Sequence, residues 1–201
     1  LAVDEKGELI DGDKLIAICS KAYKEQGRLK NNSAVVTVMT NIGFSQFAKE
    51  NDINIITASV GDRYVLEKML EGGYNIGGEQ SGHIIFLDEA TTGDGQLSGV
   101  KVLEVLQNSG VKMSELAGIM TSYPQVMVNV KVTPEVKANW KSYDDVKAVI
   151  EKYEKILGDD GRILVRESGT EPLVRVMLEG KDTEQITAMA NEIADKIREH
   201  I

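Results

Sequence analysis

The chain has 201 residues, of which 42% are apolar and only 5% aromatic, so aliphatic side chains must fill its core. Its formal net charge of −9 argues against non-specific nucleic-acid binding, which needs a basic surface, although local donors can still bind an anionic ligand. The single cysteine, Cys19, excludes an internal disulfide and is predicted to be a small core residue of a protein from a reducing, cytoplasmic compartment.

Strands and helices alternate over residues 1–122. A first helix is predicted after Asp11-Gly12-Asp13, an N-cap cluster followed by apolar residues at helical spacing. The apolar, β-branched segment 34–39 is typical of a strand buried on both faces. Further elements are predicted as strands at 53–57, 74–76 and 83–87, and as helices after Asn41, at 62–70 and from an Asp94 N-cap to Asn108. This alternation predicts an α/β domain with a mixed sheet between helices.

The pattern changes near Ser122-Tyr123-Pro124, where we predict the boundary to a second domain at 123–201. Residues 125–132 alternate between polar and apolar, which indicates a half-exposed strand. The remaining predicted elements are a helix at 143–157, a turn at 158–161, strands at 162–166 and 173–179, and a helix from Thr183. Together they predict a smaller α+β domain, an antiparallel sheet with helices on one face.

One loop combines several phosphate ligands within ten residues, from Arg166 to Arg175. A phosphate is bound by backbone N–H groups, hydroxyl donors and planar cations, and Arg166-Glu167-Ser168-Gly169-Thr170-Glu171-Pro172 followed by Arg175 offers all three. Gly169 is expected to let the backbone bend so that its amides face one anion. The alternative is a capping box formed by Ser168 and Glu171, but a strand follows, so no helix is there to cap. The sequence favours an anion site over a simple turn.

A second polar loop lies between two predicted strands at Gly77-Gly78-Glu79-Gln80-Ser81-Gly82-His83. A carboxylate beside a hydroxyl suits vicinal sugar hydroxyls, each of which donates and accepts a hydrogen bond. His83 could move protons near neutral pH. A polar hairpin turn, with His83 at the start of a strand, explains the same residues equally well, and composition does not decide between the two.

Both motifs, Gly78–His83 and Arg166–Arg175, resemble those of the α-D-phosphohexomutase family. That family has four domains, and nearly the whole chain resembles the third and fourth. Gln80 in the first motif, and the segment Val60-Gly61-Asp62-Arg63-Tyr64-Val65, resemble the phosphoglucosamine mutases within the family rather than its glucose and mannose mutases.

The resemblance implies a phosphoryl transfer between a phosphoserine of the first domain and a hexosamine phosphate, through a hexosamine 1,6-bisphosphate that reorients before returning a phosphate. Mg²⁺ assists from an Asp-rich loop of the second domain. Such a transfer depends on positioning and charge neutralisation. The implied roles are phosphate binding by Arg166, Ser168, Gly169, Thr170 and Arg175, sugar binding by Glu79 and Ser81, and proton transfer by His83; Arg63 is a further candidate sugar contact.

The chain also departs from the family pattern. It contains neither a Ser-His-Asn-Pro nucleophile loop nor an Asp-x-Asp-x-Asp-Arg metal loop, and we interpret Asp11-Gly12-Asp13-Lys14 as a helix N-cap instead, so no metal ligands are assigned. Leu1-Ala2-Val3-Asp4 resembles the family segment immediately after the metal loop. We therefore expect a substrate-binding half that is inactive alone, whose partners are a hexosamine phosphate and the N-terminal domains of its own longer chain, with no nucleic-acid or membrane partner.

Two alternative functions stay open at this point. One is another mutase of the same family that acts on glucose or mannose phosphates. The other is a phosphosugar-binding module without a catalytic role.

Overall fold

The computed structural model describes all residues, Leu1–Ile201, as two compact units, Leu1–Ser122 and Tyr123–Ile201. Each unit has its own apolar core. No helix has both the length and the apolar character needed to cross a membrane.

The first unit contains a four-stranded mixed sheet in the order β4-β3-β5-β6, in which β3 pairs in parallel with β4 and β5, and β6 runs antiparallel to β5. A two-stranded antiparallel hairpin, β1-β2, precedes it. The elements in chain order are β1 (Ala2–Val3), β2 (Leu9–Ile10), α1 (Gly12–Glu25), β3 (Ser33–Thr37), α2 (Ile42–Glu50), β4 (Asn54–Ala58), α3 (Asp62–Gly72), β5 (Ile76–Gly78), β6 (Ile84–Phe86), α4 (Gly95–Ser109) and α5 (Met113–Ala117).

The central strand β3 explains why this sheet is covered on both sides. All five of its residues are buried. Ala34 and Val36 belong to the core cluster formed with α1, α2 and α4, whereas Val35 belongs to a second cluster with Val65 and Met69 of α3. Since successive strand residues point to opposite faces, helices must cover both faces, and the predicted α/β domain with a mixed sheet between helices is confirmed.

The helix starts follow the predicted capping. The Asp11 carboxylate accepts a hydrogen bond from the Lys14 amide at 3.1 Å, and the Asp94 carboxylate accepts from the amides of Gln96 and Leu97 at 2.9 and 3.0 Å. Both aspartates therefore satisfy N–H groups that the first helical turn leaves unpaired.

The second unit is a three-stranded antiparallel sheet in the order β7-β9-β8. Alternate residues of β7 and β9 pack against α7 and α8, which leaves Met127 and Asn129 on the other face. This confirms the predicted α+β arrangement. The elements are β7 (Gln125–Lys131), α6 (Pro134–Asn139), α7 (Asp144–Leu157), β8 (Gly161–Glu167), β9 (Leu173–Gly180) and α8 (Thr183–Arg198).

Several local predictions need correction. The strand predicted at 74–76 lies instead at Ile76–Gly78. Tyr74 still belongs to the end of α3, because its amide donates to the Met69 carbonyl at 2.9 Å beside the left-handed Gly73. The short elements β1, β2, α5 and α6 were not predicted, since elements of two to six residues carry too little periodicity. His200 is exposed, and its ring stacks on Tyr143 at 3.8 Å and lies 3.0 Å from the Asp145 carboxylate.

Candidate functional site

Residues 168–172 form a closed loop between β8 and β9. The Ser168 amide donates to the Leu173 carbonyl at 2.9 Å, and the Leu173 amide donates to the Glu171 carbonyl at 2.8 Å. The Ser168 hydroxyl accepts from the Glu171 amide at 3.3 Å. These bonds tie the two ends of the loop together, so it is an ordered turn between strands and caps no helix.

Two arginines face each other across the neighbouring strands at the base of this loop. Arg166 of β8 is the cross-strand partner of Arg175 of β9, whose other neighbour in the same row is Asn129 of β7. Directly opposed residues share a face of the sheet, so the two guanidinium groups lie side by side. Burial and the nearby charge of Arg175 lower the pKa of Arg166 from its ordinary value. Paired like charges are unfavourable unless an anion neutralises them.

The loop also presents donors that the rest of the chain does not use. The amides of Gly169 and Thr170 make no hydrogen bond, and the Arg175 Nε is buried without a partner. Nη2 of Arg175 lies 2.7 Å from the Glu171 carboxylate and 3.4 Å from the Ser168 hydroxyl. Ser168 is buried, whereas Gly169 and Thr170 are exposed. The arrangement can therefore surround one anion with guanidinium, hydroxyl and amide donors.

The backbone bends at Gly169, as predicted, but this bend does not require a glycine. Its φ is not in the left-handed region, and a Cβ at this position would meet no atom within 4 Å. Any residue could adopt this conformation in the unliganded loop. The missing side chain instead leaves open space over the exposed amides.

In the first unit, Glu79 follows directly after β5 and is only 8% exposed. One carboxylate oxygen accepts the Gly61 amide at 2.8 Å, and the other lies 3.3 Å from Nδ1 of His83. Gly61 comes just after β4, so residues from the carboxyl ends of two parallel strands meet here. Ligands of open α/β sheets bind at this edge. The structure thus joins Glu79 and His83 and adds the Gly61 amide, which was not among the predicted site residues.

The loop 79–83 is seated on the first turn of α1. The Gly12 amide donates to the Gln80 carbonyl at 2.9 Å, and a Cβ at Gly12 would lie 2.0 Å from the Glu79 carbonyl oxygen. Gly82 has φ +102°, which favours glycine. Gly12 was missed as a site residue, because in the sequence it is simply one member of an N-cap cluster.

The other predicted site residues of this unit are exposed. The Ser81 hydroxyl makes no hydrogen bond within the chain, and the His83 side chain is 65% exposed. The Arg63 side chain is 81% exposed and pairs with Glu67 at 2.9 Å, one turn along α3. Ser81 and Arg63 are therefore exposed without a contact to the Glu79 loop's carboxylate, whereas the exposed His83 ring keeps its contact with Glu79.

The chain has no group of three or more His, Cys, Asp or Glu residues placed to hold a metal ion. Its residues therefore do not fit the Mg²⁺ that the family implies, and no metal-dependent step is assigned to them.

Comparison with known proteins agrees with the architecture. Residues 11–123 match phosphoglucomutase/phosphomannomutase, alpha/beta/alpha domain III, and residues 127–196 match the C-terminal domain of the same family. The chain is 54% identical over 197 residues to the phosphoglucosamine mutase of Caldanaerobacter subterraneus and 53% identical over 200 residues to that of Clostridium novyi. These alignments cover 98% and 99% of the chain but 44% of each relative, so the chain spans less than half their length.

Solved structures share the fold at low sequence identity. A phosphoglucomutase/phosphomannomutase family protein from Burkholderia thailandensis has a TM-score of 0.75 at 17% identity, over 98% of this chain and 44% of that protein. The N-acetylphosphoglucosamine mutase of Aspergillus fumigatus, crystallised with GlcNAc-6P and magnesium, has a TM-score of 0.72 at 19% identity, over 98% and 46%. The chain belongs to the phosphoglucomutase/phosphomannomutase family, as its two loop motifs predicted, and carries the family's domain III and C-terminal domain.

Proposed function

We propose that this chain is the substrate-binding part of a phosphoglucosamine mutase, which interconverts glucosamine 6-phosphate and glucosamine 1-phosphate for amino-sugar nucleotide and cell-wall precursor synthesis. The proposal is supported by relatives of that name that are 49% and 54% identical over 100% and 98% of the chain. Gln80 and the segment 60–65 point to the same subfamily rather than to the glucose or mannose mutases.

The observation that carries the proposal is the pair of guanidinium groups beside a loop with unused donors. Arg166 and Arg175 supply two planar cations that bind phosphate oxygens in a bidentate manner, and their mutual repulsion falls when an anion binds. Ser168, Gly169 and Thr170 supply a hydroxyl and two free amides. In this proposal the loop holds the phosphate that does not react, in both orientations of the substrate.

The Glu79 loop is proposed to hold the sugar. Each oxygen of Glu79 keeps an acceptor site beyond its present partner, so the carboxylate can accept from sugar hydroxyls while Ser81 adds an exposed hydroxyl. Arg63, at the start of α3, is a further candidate contact. The contact between Glu79 and His83 Nδ1 orients the imidazole, which could then carry a proton at Nε2.

Phosphoryl transfer through a phosphoserine and a hexosamine 1,6-bisphosphate is the mechanism that family membership suggests for the longer enzyme. Mg²⁺ would neutralise charge on the transferred group there, and its ligands and the serine would come from partner domains of the longer chain. Since neither the Ser-His-Asn-Pro nucleophile loop nor the Asp-x-Asp-x-Asp-Arg metal loop occurs in these 201 residues, we expect this chain alone to bind phosphosugar weakly without turnover. A cytoplasmic location remains a prediction, supported by a single cysteine that is buried and unpaired.

The test is an NMR titration of the isotope-labelled chain with glucosamine 6-phosphate. Ligand should shift the amide signals of residues 166–175, and the double variant Arg166→Ala/Ser168→Ala should bind at least about tenfold more weakly, because it loses a charge-assisted bond and a hydroxyl. Arg198→Ala is the matched control, because Arg198 is an exposed arginine of the same unit that pairs with Asp195 on α8. Its affinity should equal that of the unmodified chain.

Unchanged affinity in the double variant would contradict the phosphate assignment. Tighter binding of glucose 6-phosphate than of glucosamine 6-phosphate would contradict the choice of substrate while leaving the phosphate loop in place. Mutase turnover by the purified chain would contradict the expectation that it only binds.

A further inference from the structure

The segment that follows β7 contacts both ends of the phosphate loop; we call residues 132–141 the brace. At the far end of the loop, the Val132 amide donates to the Pro172 carbonyl at 3.0 Å, and Lys137 Nζ donates to the Glu171 carbonyl at 2.8 Å. At the near end, Trp140 Nε1 donates to the Glu167 carboxylate at 2.8 Å, with Lys141 Nζ 3.1 Å from the same oxygen. One short segment thus bonds to the loop on each side of its exposed amides.

The residue that accepts the Trp140 hydrogen bond, Glu167, lies between two of the proposed phosphate-binding residues. Glu167 is the last residue of β8, flanked by Arg166 and Ser168. It is the cross-strand partner of Val174, which is fully buried in the core under the helices, so Glu167 points to the helix face while Arg166 points to the opposite one. Rotation of the backbone at Glu167 would move both neighbouring ligands at once.

The side chain of Trp140, which donates this hydrogen bond, is held in place by packing. Its indole is only 5% exposed and belongs to the core cluster of the second unit. A ring held on all sides by packing presents its N–H in one direction, so the carboxylate that accepts from it is held as well. Burial raises the pKa of Glu167, but hydrogen bonds from its own backbone amide, Lys141 and Trp140 outweigh burial and lower the pKa below its ordinary value. The carboxylate is therefore ionised when it accepts these bonds.

We propose that Trp140 and Glu167 are positioning residues: their hydrogen bond holds the β8 end of the loop so that Arg166 and Ser168 are already oriented for the phosphate group of the substrate. This inference rests on the proposed function of the loop. Neither residue touches the anion. They restrict the conformations of the loop before binding, which lowers the conformational-entropy cost of binding the phosphate group.

The test uses the fact that Trp140 is the only tryptophan, so the chain shows a single indole N–H signal in a proton–nitrogen NMR spectrum. Saturating glucosamine 6-phosphate should shift that signal, although the indole is not a ligand. Acidification should shift it as Glu167 is protonated, and the shift with pH should vanish in Glu167→Gln.

Three variants separate positioning from simple structural support. Trp140→Phe and Glu167→Ala should each bind glucosamine 6-phosphate about three- to tenfold more weakly, because both lose the charge-assisted bond between the indole and the carboxylate. Glu167→Ala also loses the contact with Lys141. Glu167→Gln keeps an acceptor oxygen for the indole and should retain most of the affinity. Lys147→Ala, on α7, is the control, because its ammonium pairs only with exposed Asp144.

If Glu167→Ala, with unchanged circular dichroism and melting temperature, binds as tightly as the unmodified chain, the positioning role is refuted while the phosphate loop stands. Glu167→Ala keeps the packed indole, so it gives this answer even if Trp140→Phe does not fold. If the unmodified chain shows no shifts at residues 166–175 with ligand, both this inference and the proposed function are refuted.

Discussion

Gly12, in the first turn of α1, is where the Glu79 loop leaves no room for a side chain. A Cβ at this position would lie 2.0 Å from the Glu79 carbonyl oxygen, 2.8 Å from the Gly82 nitrogen and 2.9 Å from the Gln80 carbonyl oxygen. Real Cβ contacts are essentially never shorter than 3.0 Å. All three neighbours are backbone atoms, which cannot rotate away as a side chain can. In Gly12→Ala, the loop and the helix must therefore separate by about 1 Å.

The cost of Gly12→Ala can be worked from these contacts. Forcing atoms into a packed region typically costs about 1–3 kcal/mol. Separation also lengthens the hydrogen bond from the Gly12 amide to the Gln80 carbonyl, 2.9 Å at present, for about 1 kcal/mol more. Alanine regains less than about 1 kcal/mol of helix propensity at this terminal position. The expected net loss is about 1–4 kcal/mol in the free energy of unfolding.

Urea unfolding followed by far-ultraviolet circular dichroism measures this loss. Gly99→Ala, inside α4, is the matched control, because a Cβ at Gly99 meets no atom within 4 Å and alanine should stabilise the helix by up to about 1 kcal/mol. The amide signals of Gln80 and Gly82 should shift in Gly12→Ala alone. A Gly12→Ala chain within about 0.5 kcal/mol of the unmodified one, with those signals in place, would refute the steric argument.

Two further predictions concern charge. Burial raises the pKa of the Cys19 thiol from 9.0 to about 12, so the folded state favours the protonated thiol and loses this stability as the pH rises from 9.0 towards 12. The free energy of unfolding should therefore fall less steeply over that pH range in Cys19→Ala than in the unmodified chain. Equal slopes for the two chains would contradict the effect of burial. The Glu171 carboxylate competes with phosphate for Arg175, so Glu171→Gln should bind inorganic phosphate about two- to fivefold more tightly by NMR titration, as expected for an exposed ion pair. Glu199→Gln is the control, because the Glu199 carboxylate pairs with Lys196 on α8, away from the loop. If Glu171→Gln binds phosphate no more tightly than the unmodified chain, Glu171 does not compete with phosphate for Arg175.

The phosphate loop could be predicted because its ligands are close in sequence. Arg166 and Arg175 flank a five-residue connection between two strands, residues 168–172, and such a short connection forces antiparallel pairing that places them opposite each other. The alternation of Val126, Val128 and Val130 likewise determined which face of β7 is buried, since the side-chain period of a strand is two.

The tertiary structure decided the contacts between residues distant in sequence. Glu79 is held by Gly61, 18 residues away, and its loop rests on Gly12, which no local pattern distinguished from an ordinary N-cap residue. Glu167 is held by Trp140, 27 residues away. The physical reason is that periodicity and capping report each residue's own conformation and exposure, whereas a cross-chain contact depends on how several elements pack at once. The sequence by itself determined the two unit folds and the composition of both loops; the packing of each unit determined what orients them.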